Sequence, residues 1–128
     1  MTEPSVLTGG CACGAVRYES REPPGFSFHC QCRACQRATG AGHASAFVLP
    51  VDAVTLTGKI STYDRPPDRG NTVTRGFCAR CGSPVLNRNA AYPDSLYVNA
   101  ATLDDPTVFH PTTVLFRDEA QPWDAIDL

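Results

Sequence analysis

Seven cysteines carry the chemistry open to this sequence, and every one belongs to a cluster. They fall as Cys11/Cys13 (C-x-C), Cys30/Cys32/Cys35 (C-x-C-x-x-C) and Cys78/Cys81 (C-x-x-C). A disulfide framework fits poorly, because the count is odd and partners one or two residues apart would close very short, strained loops. Cysteines used as small apolar residues would scatter along core faces instead of grouping. Zinc accounts for the spacing directly. Thiolates a residue or two apart on a tight turn reach one ion at about 2.3 Å, and a structural site takes four of them.

Seven divides as four plus three. The most economical division closes a structural zinc with Cys11, Cys13, Cys78 and Cys81, and leaves Cys30, Cys32 and Cys35 a second zinc, giving two ions per chain. Spacing alone also lets Cys11/Cys13 join two cysteines of the triplet, and an all-thiolate site accepts iron, although zinc is its commoner occupant. A three-ligand ion has an open position, which is what separates catalytic from structural zinc. A thiol entering that position loses its proton, and its sulfur can then attack a carbonyl carbon. Zinc can also polarise an aldehyde oxygen or hold two reactants together. Three thiolates weaken the ion's electrophilicity, so thiol delivery is favoured over water activation.

Cys30, Cys32, Cys35 and His29 are therefore the candidate catalytic residues. His29 is the nearest group for proton transfer, and His43, in a glycine-rich loop, is an equal candidate. The competing reading of either histidine is a polar residue held by one hydrogen bond. Arg33 and Arg37 suit the carboxylates of a peptide-like substrate, against the bland alternative of solvated surface arginines. Arg75 is expected to brace the first zinc knuckle through a thiolate or carbonyl. Trp123 is expected to pack in the core with Phe109, Val114, Leu115 and Phe116.

The elements that must position these residues are short. Residues 1 to 8 read as a lead-in. Ala15 to Glu19 alternates as a half-buried strand, and Phe26 to Cys30 returns as a strand that delivers the triplet. Arg33 to Thr39 favours a short helix closed by Gly40, which puts Cys32 and Cys35 near a helix N-terminus, where thiolate is favoured. Ser45 to Leu49 is a buried strand ended by Pro50. Asp52 to Leu56 and Lys59 to Tyr63 are expected to pair about Thr57-Gly58, followed by a mobile polar loop from Asp64 to Asn71. Thr72 to Phe77, Pro84 to Asn87, Ser95 to Ala100 and Val114 to Phe116 complete about eight strands, a mainly β chain.

The 128 residues suit one domain, 1–128, without repeats or linkers. A net charge of −2 with dispersed Lys and Arg argues against nucleic acid as a partner. No export signal or membrane-length apolar run is visible, so a cytoplasmic, membrane-independent protein is expected, in a compartment that keeps thiols reduced. A homodimer is compatible with the sequence.

The chain resembles the glutathione-dependent formaldehyde-activating family, which also contains centromere protein V-like proteins. The resemblance lies in Gly10 to Tyr18, His29 to Ala41, Arg75 to Pro84, Thr102 to Pro106 and Gln121-Pro122-Trp123-Asp124. It implies a zinc-stapled β-tent of twisted antiparallel sheets with short helical turns, and it favours the four-plus-three division of the cysteines. It also implies a carbon-sulfur lyase acting on a thiol-aldehyde adduct such as S-hydroxymethylglutathione, with glutathione as the thiol. Family tails commonly read Phe-x-Pro-x-x-His; here Val114 takes the histidine's place, and His110 stands four residues earlier.

Two function classes follow. In the first, the triplet zinc binds a thiol or aldehyde adduct and makes or breaks a carbon-sulfur bond. In the second, the metals only staple a binding module. A redox role for the C-x-x-C pairs ranks third, because no thioredoxin-like βαβ context surrounds them.

Overall fold

The computed structural model describes residues 4–66 and 70–128. Its strands are β1 (Leu7–Gly10), β2 (Arg17–Ser20), β3 (Ser27–Cys30), β4 (Ala44–Pro50), β5 (Val54–Thr57), β6 (Ile60–Arg65), β7 (Val73–Cys78), β8 (Pro84–Asn89), β9 (Ser95–Asn99) and β10 (Thr113–Leu115). One helix, α1 (Arg33–Thr39), and short 3-10 turns complete the described residues. The strands form a three-stranded sheet in the order β1-β2-β5 and a seven-stranded sheet in the order β10-β3-β4-β9-β8-β7-β6. The mainly β fold of antiparallel sheets is thus present, with one parallel pair, β10 on β3.

Alternation along β2 works as read: Val16 and Tyr18 are buried, Arg17 and Glu19 exposed. Tyr18 meets Phe47, Leu49, Val85 and Val98 in the main core, all at most 1% exposed. Burying such side chains stabilises by about 1.5–3 kcal/mol each. Cys11 and Cys78 belong to this same core. Cys30 belongs to a smaller cluster with Phe28 and Ala46, against which Cys32, Cys35, Tyr97 and Leu115 pack.

Several expectations are corrected. Leu7 and Thr8 are not lead-in but the start of β1, paired with β2 from Leu7↔Ser20 to Gly10↔Arg17. A β-carbon on Gly9 would lie 2.3 Å from the Tyr18 hydroxyl and 2.5 Å from the Thr102 carbonyl, so only glycine fits there. The strands on either side of Gly58 do not pair with each other. β5 pairs with β2 and β6 with β7. Gly58, at φ 95°, is pressed against the Ala15 carbonyl and passes the chain from one sheet to the other. Asp64 and Arg65 extend β6. The mobile loop expected from Asp64 to Asn71 includes Pro67, Asp68 and Arg69, which lie outside the described residues, as do Met1, Thr2 and Glu3. Pro50 closes β4 from within, as its last residue.

Candidate functional site

The first cysteine group joins two turns distant in sequence. Cys11 and Cys13 sit between β1 and β2, Cys78 ends β7, and Cys81 lies in the turn before β8. Their four Sγ atoms lie within 4.8 Å of one another. The Cys11–Cys13 and Cys13–Cys78 separations are 3.6 and 3.8 Å. Four thiolates at about 2.3 Å from a tetrahedral zinc stand about 3.8 Å apart, so the donor set fits. Backbone N–H groups point at the sulfurs: Val16 N–H donates to Cys11 at 3.2 Å, Arg80 and Cys81 N–H to Cys78 at 3.3 and 3.4 Å. Such donors favour thiolate. Hydrogen bonds from Ser83, side chain first and then backbone, bring the exposed Cys81 thiol down to about 5.

The triplet lies where β3 passes into α1. Cys32 is the helix N-cap, its sulfur accepting the Cys35 N–H at 3.3 Å, and Gly40 at φ 73° closes the helix as expected. The three Sγ atoms of Cys30, Cys32 and Cys35 also lie within 4.8 Å of one another. No further His, Asp or Glu joins them among the described residues. They divide the charge unequally. Hydrogen bonds from Cys30 and Cys35 bring Cys32 down to about 2. The contacts of Cys30 with Cys32 and then Cys35 push the Cys30 thiol upward, with burial adding to the rise. The seven cysteines therefore segregate as four and three, and the mixed Cys11/Cys13 combination with the triplet does not occur. Each set fits a divalent ion that favours thiolate, three sulfurs leaving coordination to spare.

Arg75 does not brace the first knuckle. It leaves β7 on the other side and brings Nη2 to 4.0 Å from Cys35 Sγ. Alternation explains this, since Arg75 and Phe77 share one face of the strand while Gly76 and Cys78, both buried, share the other. Arg75 lines a groove of about 560 Å³ together with Arg33, Arg37, Arg65, Tyr63 and Asn87. Arg33 and Arg37 thus enter one site, with two arginines that sequence reasoning had placed elsewhere. A second hollow of about 680 Å³ adjoins it across Thr39, Pro84 and Asn99, and its wall includes Cys11, His43 and Ser45.

His29 and His43 come together, ring centroids 4.8 Å apart and nearly perpendicular. His29 Nδ1 pairs with Ser45 Oγ at 2.8 Å, and its ring also abuts Phe109. Burial, and then the proximity of His43, hold His29 below the usual histidine range. His43 Nδ1 meets both carboxylate oxygens of Asp124, at 2.9 and 3.0 Å. Burial raises the Asp124 carboxyl, but hydrogen bonds from Gln31 and His43 outweigh it and the net shift is downward. Asp124 carried no assigned role in the sequence; its one signal was its place in the Gln121 to Asp124 segment.

The C-terminal segment holds the triplet turn from behind. Gln31 Nε2 donates to the Asp124 carbonyl and carboxylate at 2.9 and 3.1 Å. Gln36 Nε2 donates to the Gln31 and Glu119 carbonyls, and Glu119 Oε1 accepts the Arg33 N–H at 3.0 Å, the first amide of α1. Trp123 is not in the core: it is 70% exposed, because its neighbour Asp124 takes the inward position. Phe109 does pack against the main core and Leu115 against the smaller cluster, whereas Phe116 is exposed. His110 is exposed.

Known proteins resemble this chain in fold and in sequence. A chain from Rhodobacter sphaeroides of known crystal structure superposes with a TM-score of 0.64 at 24% identity, over 84% of this chain and 98% of that one, which shows the fold. A Halomonas elongata protein named "Putative glutathione-dependent formaldehyde-activating enzyme" is 32% identical over 124 residues, covering 91% of this chain and 78% of that protein. The profile of the family described as glutathione-dependent formaldehyde-activating enzyme matches residues 6–119, a span that takes in both cysteine groups and the arginine-lined groove between them. The chain is therefore a member of the glutathione-dependent formaldehyde-activating family.

Proposed function

We propose that the protein is a carbon-sulfur lyase that forms and cleaves an adduct of formaldehyde with a carboxylate-bearing thiol, S-hydroxymethylglutathione being the best fit. The observation that carries this reading is the seating of three clustered sulfurs at the head of α1 beside an arginine-lined groove, with Arg75 reaching from the groove to Cys35. Cys11, Cys13, Cys78 and Cys81 would hold a structural zinc, and Cys30, Cys32 and Cys35 a second one. When bound to the triplet, zinc supplies one thing the thiols lack, a means of keeping an incoming thiol deprotonated at neutral pH.

The chain's own residues do the rest. Arg33, Arg37 and Arg75 present fixed forks to the carboxylates of the thiol substrate and orient its sulfur towards the triplet. A peptide-like thiol with two carboxylates matches three or four arginines better than a neutral thiol does. Orientation of this kind is worth several kcal/mol, because it removes the entropy of bringing sulfur and aldehyde together.

The test is titration of glutathione and of its hydroxymethyl adduct into zinc-replete protein, followed calorimetrically, with exchange of labelled formaldehyde followed by NMR. Saturable binding and accelerated exchange are expected. No heat at millimolar ligand, with two zinc ions present, would remove glutathione as the substrate. Full binding with no acceleration would favour the binding-module reading.

A further inference from the structure

We infer that His43, oriented by Asp124, is the proton-transfer group of this site, carrying the proton between sulfur and the aldehyde oxygen. The inference rests on the carbon-sulfur reading above and adds to it the residue that moves the proton.

Geometry separates His43 from His29. The register of β3 on β4 sets Ala44 opposite Cys30, so His43 emerges one residue from the partner of a triplet cysteine. Thr39 Oγ, donating within range of the Cys35 and His43 carbonyls at 2.9 and 3.2 Å, ties the end of α1 to the same place. His43 lines the hollow that adjoins the arginine groove, and its side chain is 26% exposed. Its Nδ1 is committed to Asp124, and among the described residues its Nε2 has no hydrogen-bond partner, so Nε2 is the atom left to face a ligand. His29 has the opposite surroundings. Its Nδ1 is taken by Ser45, its ring lies between Phe109 and His43, and among the described residues no carboxylate hydrogen-bonds to it.

The Asp124 contact is built, not incidental. A β-carbon on Gly42 would lie 2.2 Å from Asp124 Cγ, so the loop admits this carboxylate only because residue 42 has no side chain. Gln31, 1% exposed, donates to Asp124 as well and fixes the second oxygen. A carboxylate on Nδ1 holds one tautomer of the neutral ring, Nδ1–H with Nε2 free. The groups facing His43 are Asp124 from the C-terminal segment and His29 from β3.

The step balances without another reactant. Nε2 takes the proton of the incoming thiol, and the sulfur's electron pair forms the C–S bond. The carbonyl π pair moves to oxygen, and the imidazolium returns the proton there, giving the hydroxymethyl thioether. In reverse, Nε2 takes the hydroxyl proton, the C–S bond breaks, and the imidazolium returns that proton to the sulfur, so that formaldehyde and thiol leave. General acid-base help of this kind is worth about 10²–10⁴ in rate.

The experiment compares the zinc-loaded parent, H43Q and D124N in NMR exchange of labelled formaldehyde with glutathione across pH. H43Q should lose about 100-fold or more in rate, keep its glutathione affinity and zinc content, and lose the pH limb that reports the imidazole. D124N, a positioning change, should lose less in rate than H43Q and keep its glutathione affinity and zinc content. H43Q exchanging at the parental rate and pH profile would overturn the inference. If the parent itself fails to accelerate exchange, the carbon-sulfur reading has failed, and ¹⁵N spectra of the imidazoles decide the dyad separately. A neutral His43 protonated on Nδ1 in the parent, with that preference lost in D124N, supports it; protonation on Nε2 in the parent overturns it.

Discussion

Arg75 Nη2 stands 4.0 Å from Cys35 Sγ although 40 residues separate them in sequence. A guanidinium there lends some support to thiolate at Cys32 and Cys35, although the contact with Cys32 and burial leave Cys35 raised overall. It also leaves the cysteine quartet untouched, so the two centres can be perturbed independently. R75M should weaken zinc at the triplet by about tenfold, the loss typical of an outer-shell partner. Chelator competition on R75M, read against metal content, checks this; equal loss at both centres would mean that Arg75 supports the fold in general.

The two centres should also differ in what they do for stability. The quartet links the β1–β2 and β7–β8 turns, and Cys78 is 1% exposed within the main core. Structural zinc in small folds contributes about 10–16 kcal/mol apparent binding free energy, as much as the whole stability of a domain, about 5–15 kcal/mol. C78S should therefore lose cooperative thermal unfolding, and so should the parent stripped by a strong chelator. C32S should melt cooperatively with one zinc retained. Metal analysis beside calorimetric melting tests both, and a C32S protein that keeps two ions would contradict the four-plus-three division.

The sequence disclosed the grouping of the cysteines because ligand spacing is local. C-x-C and C-x-x-C hold their meaning wherever the chain goes, and the Arg33 to Thr39 helix with its Gly40 cap is equally local. What stayed hidden is non-local. β1 carries two glycines and one buried leucine, and is a strand only because β2 lies beside it. β10 is legible as the short strand near Val114, but its parallel pairing to β3 across more than half the chain is not. The strands about Gly58 look like a hairpin in sequence, and only the competing partners β2 and β7 separate them. The arginine groove draws on α1, β6 and β7 together, so no window of sequence contains it. Trp123 illustrates the same limit: an aromatic side chain suggests core, yet the hydrogen-bonded residue beside it took the inward place.

Asp124 gives the site a pH limit with a definite sign. Its carboxyl is lower in the folded protein than the unfolded value near 3.9. The stabilisation it provides is thus complete above about pH 4 and is lost as pH falls through the lower folded value. Below that range the 119–126 segment should release from the triplet turn while the quartet-stapled core persists longer. D124N should show the same release at neutral pH, with a loss of about 1 kcal/mol and a fall in Tm of roughly 3–6 °C. Hydrogen exchange of the Glu119 and Asp124 region as a function of pH measures it, and protection unchanged in D124N would show that the segment is held by other contacts.

Arg37 provides the sharpest separation of binding from chemistry. It is exposed on α1, lines the groove, and among the described residues has no hydrogen-bonded partner of its own, so its removal leaves no orphaned group behind. Arg33, by contrast, already donates to Gln36, and Arg75 serves the triplet. If the groove recognises carboxylate, R37A forfeits one charge-assisted hydrogen bond, worth about 1.5–3 kcal/mol. The KM for glutathione should then rise about 10- to 100-fold with kcat nearly unchanged, the pattern of lost uniform binding. A neutral thiol such as 2-mercaptoethanol has no carboxylate to lose, so its kinetics should be the same in parent and R37A. A fall in kcat for both thiols would instead place Arg37 in the chemistry, and no change for either would move the carboxylate site away from this groove.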